Sequence, residues 1–80
     1  MIYLDHAATT PVPEEVARAV YDTLTVGWGN PSSQYPFGAQ AKARVDAARE
    51  TLAAALGCKA GEFIFTSCGS ESDNWALRLA

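Results

Sequence analysis

The sequence predicts an α/β fold built from three helices and two short strands. Two runs of bulky or aromatic side chains are typical of strands, at residues 2–4 (Ile-Tyr-Leu) and 62–65 (Glu-Phe-Ile-Phe). Three longer stretches have the composition, spacing and end signals of helices. Because two short strands make only a marginal sheet, and the third helix reaches Ala80 without a stop residue, we expect residues 1–80 to be the N-terminal segment of a longer protein, with no internal domain boundary.

The first helix is predicted from Pro13 to about residue 24 or 25. Proline fits the first helical position because the N–H that it lacks has no partner there, and two glutamates follow in the positively polarised first turn. Val16, Val20 and Leu24 recur at steps of four and form one apolar face. A glycine-rich loop follows, in which Trp28 is expected to pack onto a core or subunit surface.

The second helix is predicted from Phe37 to Leu56. Many alanines give this stretch a high helix propensity, and Gly57 is the expected stop. Its charged residues, among them Arg49, are expected to face solvent. Its apolar residues form one stripe: Phe37, Ala41, Val45, Ala48, Leu52 and Ala55.

Small residues join the second strand to the third helix over positions 66–70 (Thr-Ser-Cys-Gly-Ser). Ser70 with Asp73 three residues later has the form of a capping box, which predicts Ser70 as the N-cap. Free N–H groups and the helix dipole make such a junction a natural phosphate site. Two interpretations remain open at this point, a loop that holds the phosphate of a cofactor and an ordinary capped turn. Glu71 and Asp73 favour the turn, since they would repel a dianion.

Composition excludes several classes of function. Apolar residues make up 49% of the chain and charged residues 19%, as in globular proteins. The net charge is -3 and there is no basic run, so nucleic acid and anionic membranes are not expected partners. No apolar run could span a membrane and no signal peptide is visible, which gives a cytoplasmic default.

Few residues are candidates for chemistry. His6 is the single histidine of the sequence. It is either a functional residue or a loop residue that only makes a hydrogen bond, and both interpretations remain open. Cys58 and Cys68 match no zinc or redox spacing, and we expect reduced thiols and no metal site. Cys68 precedes a helix start that would stabilise a thiolate, so a nucleophile and a small filler residue both remain possible there.

Three segments taken together resemble the cysteine desulfurases of the NifS/IscS type, which are pyridoxal-phosphate enzymes of the class V aminotransferase family. The segments are residues 3–11 (Tyr-Leu-Asp-His-Ala-Ala-Thr-Thr-Pro), residues 29–33 (Gly-Asn-Pro-Ser-Ser) followed by Phe37 and Gly38, and residues 65–74 (Phe-Thr-Ser-Cys-Gly-Ser-Glu-Ser-Asp-Asn). Order and spacing all agree, and the resemblance covers essentially the whole chain. Tyr35 departs from the family, which often has a histidine at this position.

The resemblance implies a fold and a cofactor site. The fold would be the N-terminal part of the aspartate-aminotransferase type (fold type I), a mostly parallel sheet with helices on both faces, in a homodimer. Gly69 and Ser70 match the family residues that hold the phosphate of pyridoxal 5'-phosphate, through backbone N–H and hydroxyl groups. His6, Thr9 and Asn30 would lie near the mouth of the active site, without a defined role.

The resemblance also implies a reaction. The intact enzyme would take sulfur from L-cysteine as an enzyme persulfide, release L-alanine, and pass the sulfur to an acceptor such as an iron–sulfur scaffold. The lysine and cysteine that carry this chemistry in the family fall later in the chain, so no catalytic residue is expected here and the 80 residues alone should be inactive. The alternatives are a selenocysteine lyase, another class V aminotransferase, or a non-enzymatic binding module.

Overall fold

The structure is a computed structural model that describes residues 1–79. Its helices are α1 (Glu14–Thr25), α2 (Pro36–Leu56) and α3 (Gly69–Leu79), with a short 3-10 helix at Ala60–Glu62. The chain forms two compact units, Met1–Ala43 and Arg44–Ala80, and the boundary falls within α2.

The prediction of an α/β class with two strands is wrong, because residues 1–79 contain no strand. Residues 2–4 and 63–65 are neither helical nor paired in a sheet, although Phe63 has extended dihedral angles (φ -104, ψ 127). A strand exists only where a second strand completes its hydrogen bonds, whereas side-chain preference predicts no more than an extended backbone. The carbonyl oxygen of Phe63 accepts a hydrogen bond from the Arg49 side chain instead (2.6 Å).

The first helix forms where the sequence predicts it. Pro13 is its N-cap rather than its first residue, with φ -55 and ψ 145. Glu14 and Glu15 lie in the first turn, where they complement the helix dipole, and Glu14 pairs with Arg18 at 2.6 Å. The predicted apolar face is exposed rather than packed, at Val16, Val20 and Leu24.

The second helix ends as predicted, and its end is stabilised by a Schellman motif. Gly57 adopts a positive φ of 74°, which glycine tolerates without steric cost. The N–H of Gly57 donates to the carbonyl of Ala54 (3.3 Å), and the N–H of Cys58 donates to the carbonyl of Ala53 (2.9 Å). Ala41 lies on the predicted apolar stripe and is buried, whereas Ala53, only 2% exposed, lies outside that stripe.

The third helix begins at Gly69, so the prediction of Ser70 as its N-cap is wrong. The N–H of Ser72 donates to the carbonyl of Cys68 at 3.2 Å, which is the first helical hydrogen bond. Ser70 therefore lies inside the first turn. The predicted last residue, Ala80, lies outside the described residues.

Large apolar side chains of the described residues are mostly exposed; Leu4, for example, is 88% exposed and Leu24 is 71% exposed. Ala41 and Ala53 are the buried apolar side chains of this part of the chain. The loops are therefore positioned by individual hydrogen bonds and ring contacts more than by a large core. These contacts decide the geometry of the candidate site.

Candidate functional site

The first turn of α3 presents a group of backbone donors to solvent. The N–H groups of Gly69, Ser70 and Glu71 come first in the helix, so no carbonyl one turn earlier within the helix can accept from them. All three residues are exposed. The same end of the helix carries a partial positive charge, so this turn favours a negatively charged group.

The thiol of Cys68 lies where several of these donors converge. The N–H of Glu71, followed by the hydroxyl of Ser67 and the N–H of Ser70, lowers the pKa of Cys68 below its ordinary value. The hydroxyl of Ser67 lies 3.7 Å from the Cys68 sulfur. Hydrogen bonds to a thiolate favour the charged form, so the junction stabilises an anion at a defined position.

Side-chain hydrogen bonds connect the loop to the helix that it precedes. The hydroxyl of Thr66 lies 2.5 Å from the hydroxyl of Ser72 and also donates to the carbonyl of Cys68 (3.2 Å). The hydroxyl of Ser67 donates to the carboxylate of Glu71 at 2.6 Å. The loop and the first turn of α3 therefore form one hydrogen-bonded element.

A phosphate group fits this set of donors. A Cβ built on Gly69 meets nothing within 4 Å, so the space at the start of the helix is open. Helix-start N–H groups and a serine hydroxyl are donors typical of protein phosphate sites. A phosphate dianion held by Gly69 and Ser70 would share the N–H of Ser70 with the Cys68 sulfur, so its charge would oppose the thiolate. The role of Gly69 and Ser70 in binding phosphate remains a prediction.

A half-buried arginine of α2 contacts the segment that leads into this loop. Nη1 of Arg49 donates to the carbonyl of Phe63 at 2.6 Å, and its guanidinium carbon lies 5.1 Å from the centroid of the Phe65 ring. The two phenylalanine rings pack edge to face, with centroids 5.0 Å apart. The prediction that Arg49 faces solvent is therefore wrong. Helical periodicity does not predict this contact, because Phe63 lies fourteen residues after Arg49 in the chain.

His6 and Thr9 lie together in one turn near the start of the chain. The hydroxyl of Tyr3 donates to the carbonyls of Thr9 (3.0 Å) and Asp5 (3.1 Å). The Tyr3 and His6 rings pack edge to face at 4.7 Å, and Nδ1 of His6 lies 2.7 Å from the hydroxyl of Thr10. This arrangement fits the plain interpretation of His6 as a hydrogen-bonding loop residue.

Asn30 forms a separate turn against the start of α2. Its side-chain oxygen accepts from the N–H of Ser32 (2.9 Å), and its carbonyl accepts from the N–H of Ser33 (3.0 Å). Gly38 is buried beside this turn. A Cβ at Gly38 would lie 2.4 Å from the Ser33 carbonyl oxygen and 2.7 Å from that of Asn30, so only glycine permits the observed approach.

Residues 1–79 contain no group of three or more His, Cys, Asp and Glu side chains placed to hold a metal ion. Across the same residues, every helix is too short or too polar to cross a membrane. Cys58 and Cys68 are both free thiols, the first half-buried and the second exposed.

Comparison with known proteins assigns the family. The model of a family described as "Aminotransferase class-V" matches residues 2–80. The chain is 51% identical over 80 residues to a cysteine desulfurase of Trichormus azollae. It is 47% identical over 77 residues to the cysteine desulfurase IscS of Methanosarcina thermophila, and 48% identical over 76 residues to a selenocysteine lyase of Homo sapiens.

The three alignments cover 100%, 96% and 95% of this chain, but only 20%, 19% and 17% of the respective relatives. The chain thus spans about a fifth of the length of the curated relatives that it matches. No solved structure matches it. Since the family model covers all but one of the 80 residues, the chain belongs to the class V aminotransferase family.

Proposed function

We propose that the intact protein is a pyridoxal-phosphate-dependent cysteine desulfurase, which removes sulfur from L-cysteine and leaves L-alanine. The observation that carries this proposal is 51% identity, over the whole chain, to a protein named cysteine desulfurase. The exposed donors at the start of α3 support it independently, because they form a suitable site for the phosphate of the cofactor.

The residues of this chain act by binding. The N–H groups of Gly69 and Ser70 and the hydroxyl of Ser70 donate to the phosphate. Pyridoxal phosphate, when bound, supplies the electron sink for the chemistry at the amino acid. The phosphate and the Cys68 sulfur share the N–H of Ser70, so a bound phosphate opposes ionisation of the thiol. The resemblance to the desulfurase family supports a place for His6, Thr9 and Asn30 near the mouth of the active site of the intact protein, and we assign them no chemical step.

The intact protein is proposed to be a cytoplasmic homodimer that delivers sulfur to an acceptor such as an iron–sulfur scaffold. The resemblance to the desulfurase family supports the dimer and the acceptor. Exposed apolar side chains such as Leu4 and Leu24 are surfaces that further protein would cover. Two free thiols agree with a reducing compartment. Sedimentation equilibrium of the intact protein tests the dimer, and a monomer at micromolar concentration would count against it.

A selenocysteine lyase is the second candidate, favoured by 48% identity to the human protein of that name. The deciding experiment gives the intact, cofactor-loaded protein L-cysteine and L-selenocysteine in separate assays, and measures alanine release. With a thiol reductant such as dithiothreitol present, which reduces the enzyme persulfide and releases its outer sulfur as sulfide, a desulfurase produces alanine and sulfide in equal amounts from L-cysteine. Turnover of L-selenocysteine alone supports the lyase, and turnover of neither substrate rejects both candidates.

The role of Ser70 is tested by replacing its hydroxyl. Ser70→Ala should weaken binding of pyridoxal phosphate to the intact apoprotein by about 1–3 kcal/mol, roughly 5- to 150-fold in Kd, the range for a lost hydrogen bond to a charged group. Thr51→Ala is the matched control, since that hydroxyl bonds only locally, to the carbonyl of Ala47 (3.0 Å) on α2. If the parent protein and Ser70→Ala bind pyridoxal phosphate with equal affinity, the Ser70 hydroxyl does not bind the phosphate.

A further inference from the structure

We propose that Arg49 is a positioning residue for the phosphate-binding loop. It does not touch the phosphate; it acts through the segment 63–65, which places Thr66 and the start of α3. This inference rests on the proposed function, because it assumes that Gly69 and Ser70 hold the cofactor phosphate.

The first argument is geometric. Within residues 1–79, the segment 63–65 has an irregular backbone and contacts Arg49 of α2. Arg49 contacts this segment twice, by the 2.6 Å hydrogen bond to the Phe63 carbonyl and by its position 5.1 Å from the Phe65 ring centroid. A hydrogen bond and a ring contact from one rigid guanidinium define both the position and the orientation of the segment.

The second argument concerns the two ends of the contact. Arg49 lies within α2, seven residues before its last residue, and α2 is closed by the hydrogen bonds around Gly57. At the other end, Phe65 directly precedes Thr66, whose hydroxyl bonds to Ser72 and to the Cys68 carbonyl. A continuous series of contacts therefore runs from α2 to the first turn of α3.

The third argument is the strength of the contact. Arg49 is half-buried, unlike the exposed Arg18 on α1, so solvent screens its hydrogen bond less. Hydrogen bonds from a charged donor are stronger than neutral ones, and a cation over an aromatic ring adds further attraction. Among residues 1–79 the buried apolar side chains are Ala41 and Ala53, so such a contact has a large share in fixing the loop within this part of the chain.

The experiment compares two ligands that differ by the phosphate. Binding of pyridoxal phosphate and of pyridoxal to the intact apoprotein is measured by absorbance titration, and the ratio of the two affinities reports on the phosphate site alone. Arg49→Met should reduce that ratio by about 10-fold, since the donor and the cation are lost while the length of the side chain is kept. Arg49→Lys should restore part of the ratio, because it keeps the charge without the planar fork.

Two further variants separate the possible failures. Arg18→Met removes an exposed helical arginine that pairs with Glu14, and it should leave the ratio unchanged. Ser70→Ala removes a direct phosphate donor and should lower the ratio. If Ser70→Ala lowers the ratio and Arg49→Met does not, the inference is overturned and the proposed function stands. If Ser70→Ala leaves the ratio unchanged, the proposed phosphate site itself fails.

A purely structural role for Arg49 gives a different result. It would lower the affinities for pyridoxal phosphate and pyridoxal equally, which leaves the ratio constant and overturns the inference. If Arg49→Met does not fold, Arg49→Lys and Phe65→Leu decide in its place. A ratio at the parent value in both of these variants contradicts the positioning role.

Discussion

Adding a single methyl group at Gly38 tests how the Asn30 turn is held against α2. The Cβ of an alanine at this position would lie 2.4 Å from the Ser33 carbonyl oxygen, 2.6 Å from the Ser33 Cβ and 2.7 Å from the Asn30 carbonyl oxygen. None of these atoms is the far end of a flexible side chain. Either the turn or the start of α2 must therefore move.

The size of the effect follows from these distances. Real Cβ atoms essentially never approach other heavy atoms within 3.0 Å. The distance from the new Cβ to the Ser33 carbonyl oxygen must therefore increase by about 0.6 Å, from 2.4 Å to 3.0 Å, to reach even a tight contact. Forcing a methyl group into a filled position costs about 1–3 kcal/mol. The movement also strains the hydrogen bond from the Ser33 N–H to the Asn30 carbonyl, now 3.0 Å. We expect Gly38→Ala to lower the free energy of unfolding by about 2 kcal/mol.

Urea denaturation of the intact protein measures this loss, and Gly61→Ala is the matched control. A Cβ at Gly61 meets nothing within 4 Å, and Gly61 has no positive φ, so its replacement should be neutral or stabilise the protein by about 0.4–1 kcal/mol. The reasoning is refuted if the two variants have the same midpoint and slope. It is also refuted if Gly38→Ala is as stable as the parent protein.

Two further predictions concern Cys68. In the intact protein, alkylation by iodoacetamide, followed at Cys68 itself by peptide mass spectrometry, should begin at a lower pH than for an ordinary cysteine, because the lowered pKa of Cys68 produces the reactive thiolate earlier as pH rises. Ser67→Ala removes a hydroxyl that the Cys68 sulfur (3.7 Å) shares with the Glu71 carboxylate (2.6 Å), so it should move the rate profile back to higher pH. Coincident profiles would contradict the contribution of Ser67 to the lowered pKa. Inorganic phosphate should slow this alkylation at neutral pH, since it shares the Ser70 N–H with the sulfur and its charge opposes the thiolate. Chloride at equal ionic strength is the control, and equal slowing by both salts would indicate simple screening.

The helices were predictable because their signals are local. Pro13 with the two glutamates that follow it fixes the start of α1, and Gly57 with its positive φ fixes the end of α2. Both of these predictions depend on residues close in sequence, so no knowledge of the rest of the chain was needed. The expected packing of Trp28 onto a core or subunit surface stays a prediction, because its ring lies edge-on to Phe37 (centroids 4.9 Å apart) but the residue is 67% exposed.

The strands and the support of the loop were not predictable in the same way. Residues 63–65 have strand-type side chains, but a strand also needs a partner, and within residues 1–79 the contact that they receive is with Arg49. Ser70 matches a cap pattern, yet the helix starts one residue earlier, at Gly69, and the Thr66 hydroxyl bonds across to Ser72. These outcomes depend on the three-dimensional course of the chain, which helical and strand periodicity does not encode.

The candidate site was predicted only in part. Local sequence left the 66–70 loop open between a capped turn and a phosphate site, and the resemblance at Gly69 and Ser70 favoured phosphate. The structure adds the exposed first turn of α3, the open space at Gly69 and the two N–H groups, of Ser70 and Glu71, that lower the pKa of Cys68. The close approach of Gly38 to the Ser33 carbonyl had no sequence signal, because a glycine in a helix identifies no partner.

The central claim is that Gly69 and Ser70 bind the phosphate of pyridoxal phosphate. A crystal structure of the intact protein with the cofactor bound tests it most directly. The account predicts phosphate oxygens within about 2.7–3.2 Å of the N–H groups of both residues and of the Ser70 hydroxyl. A bound cofactor whose phosphate lies beyond hydrogen-bonding distance of all three groups would contradict it.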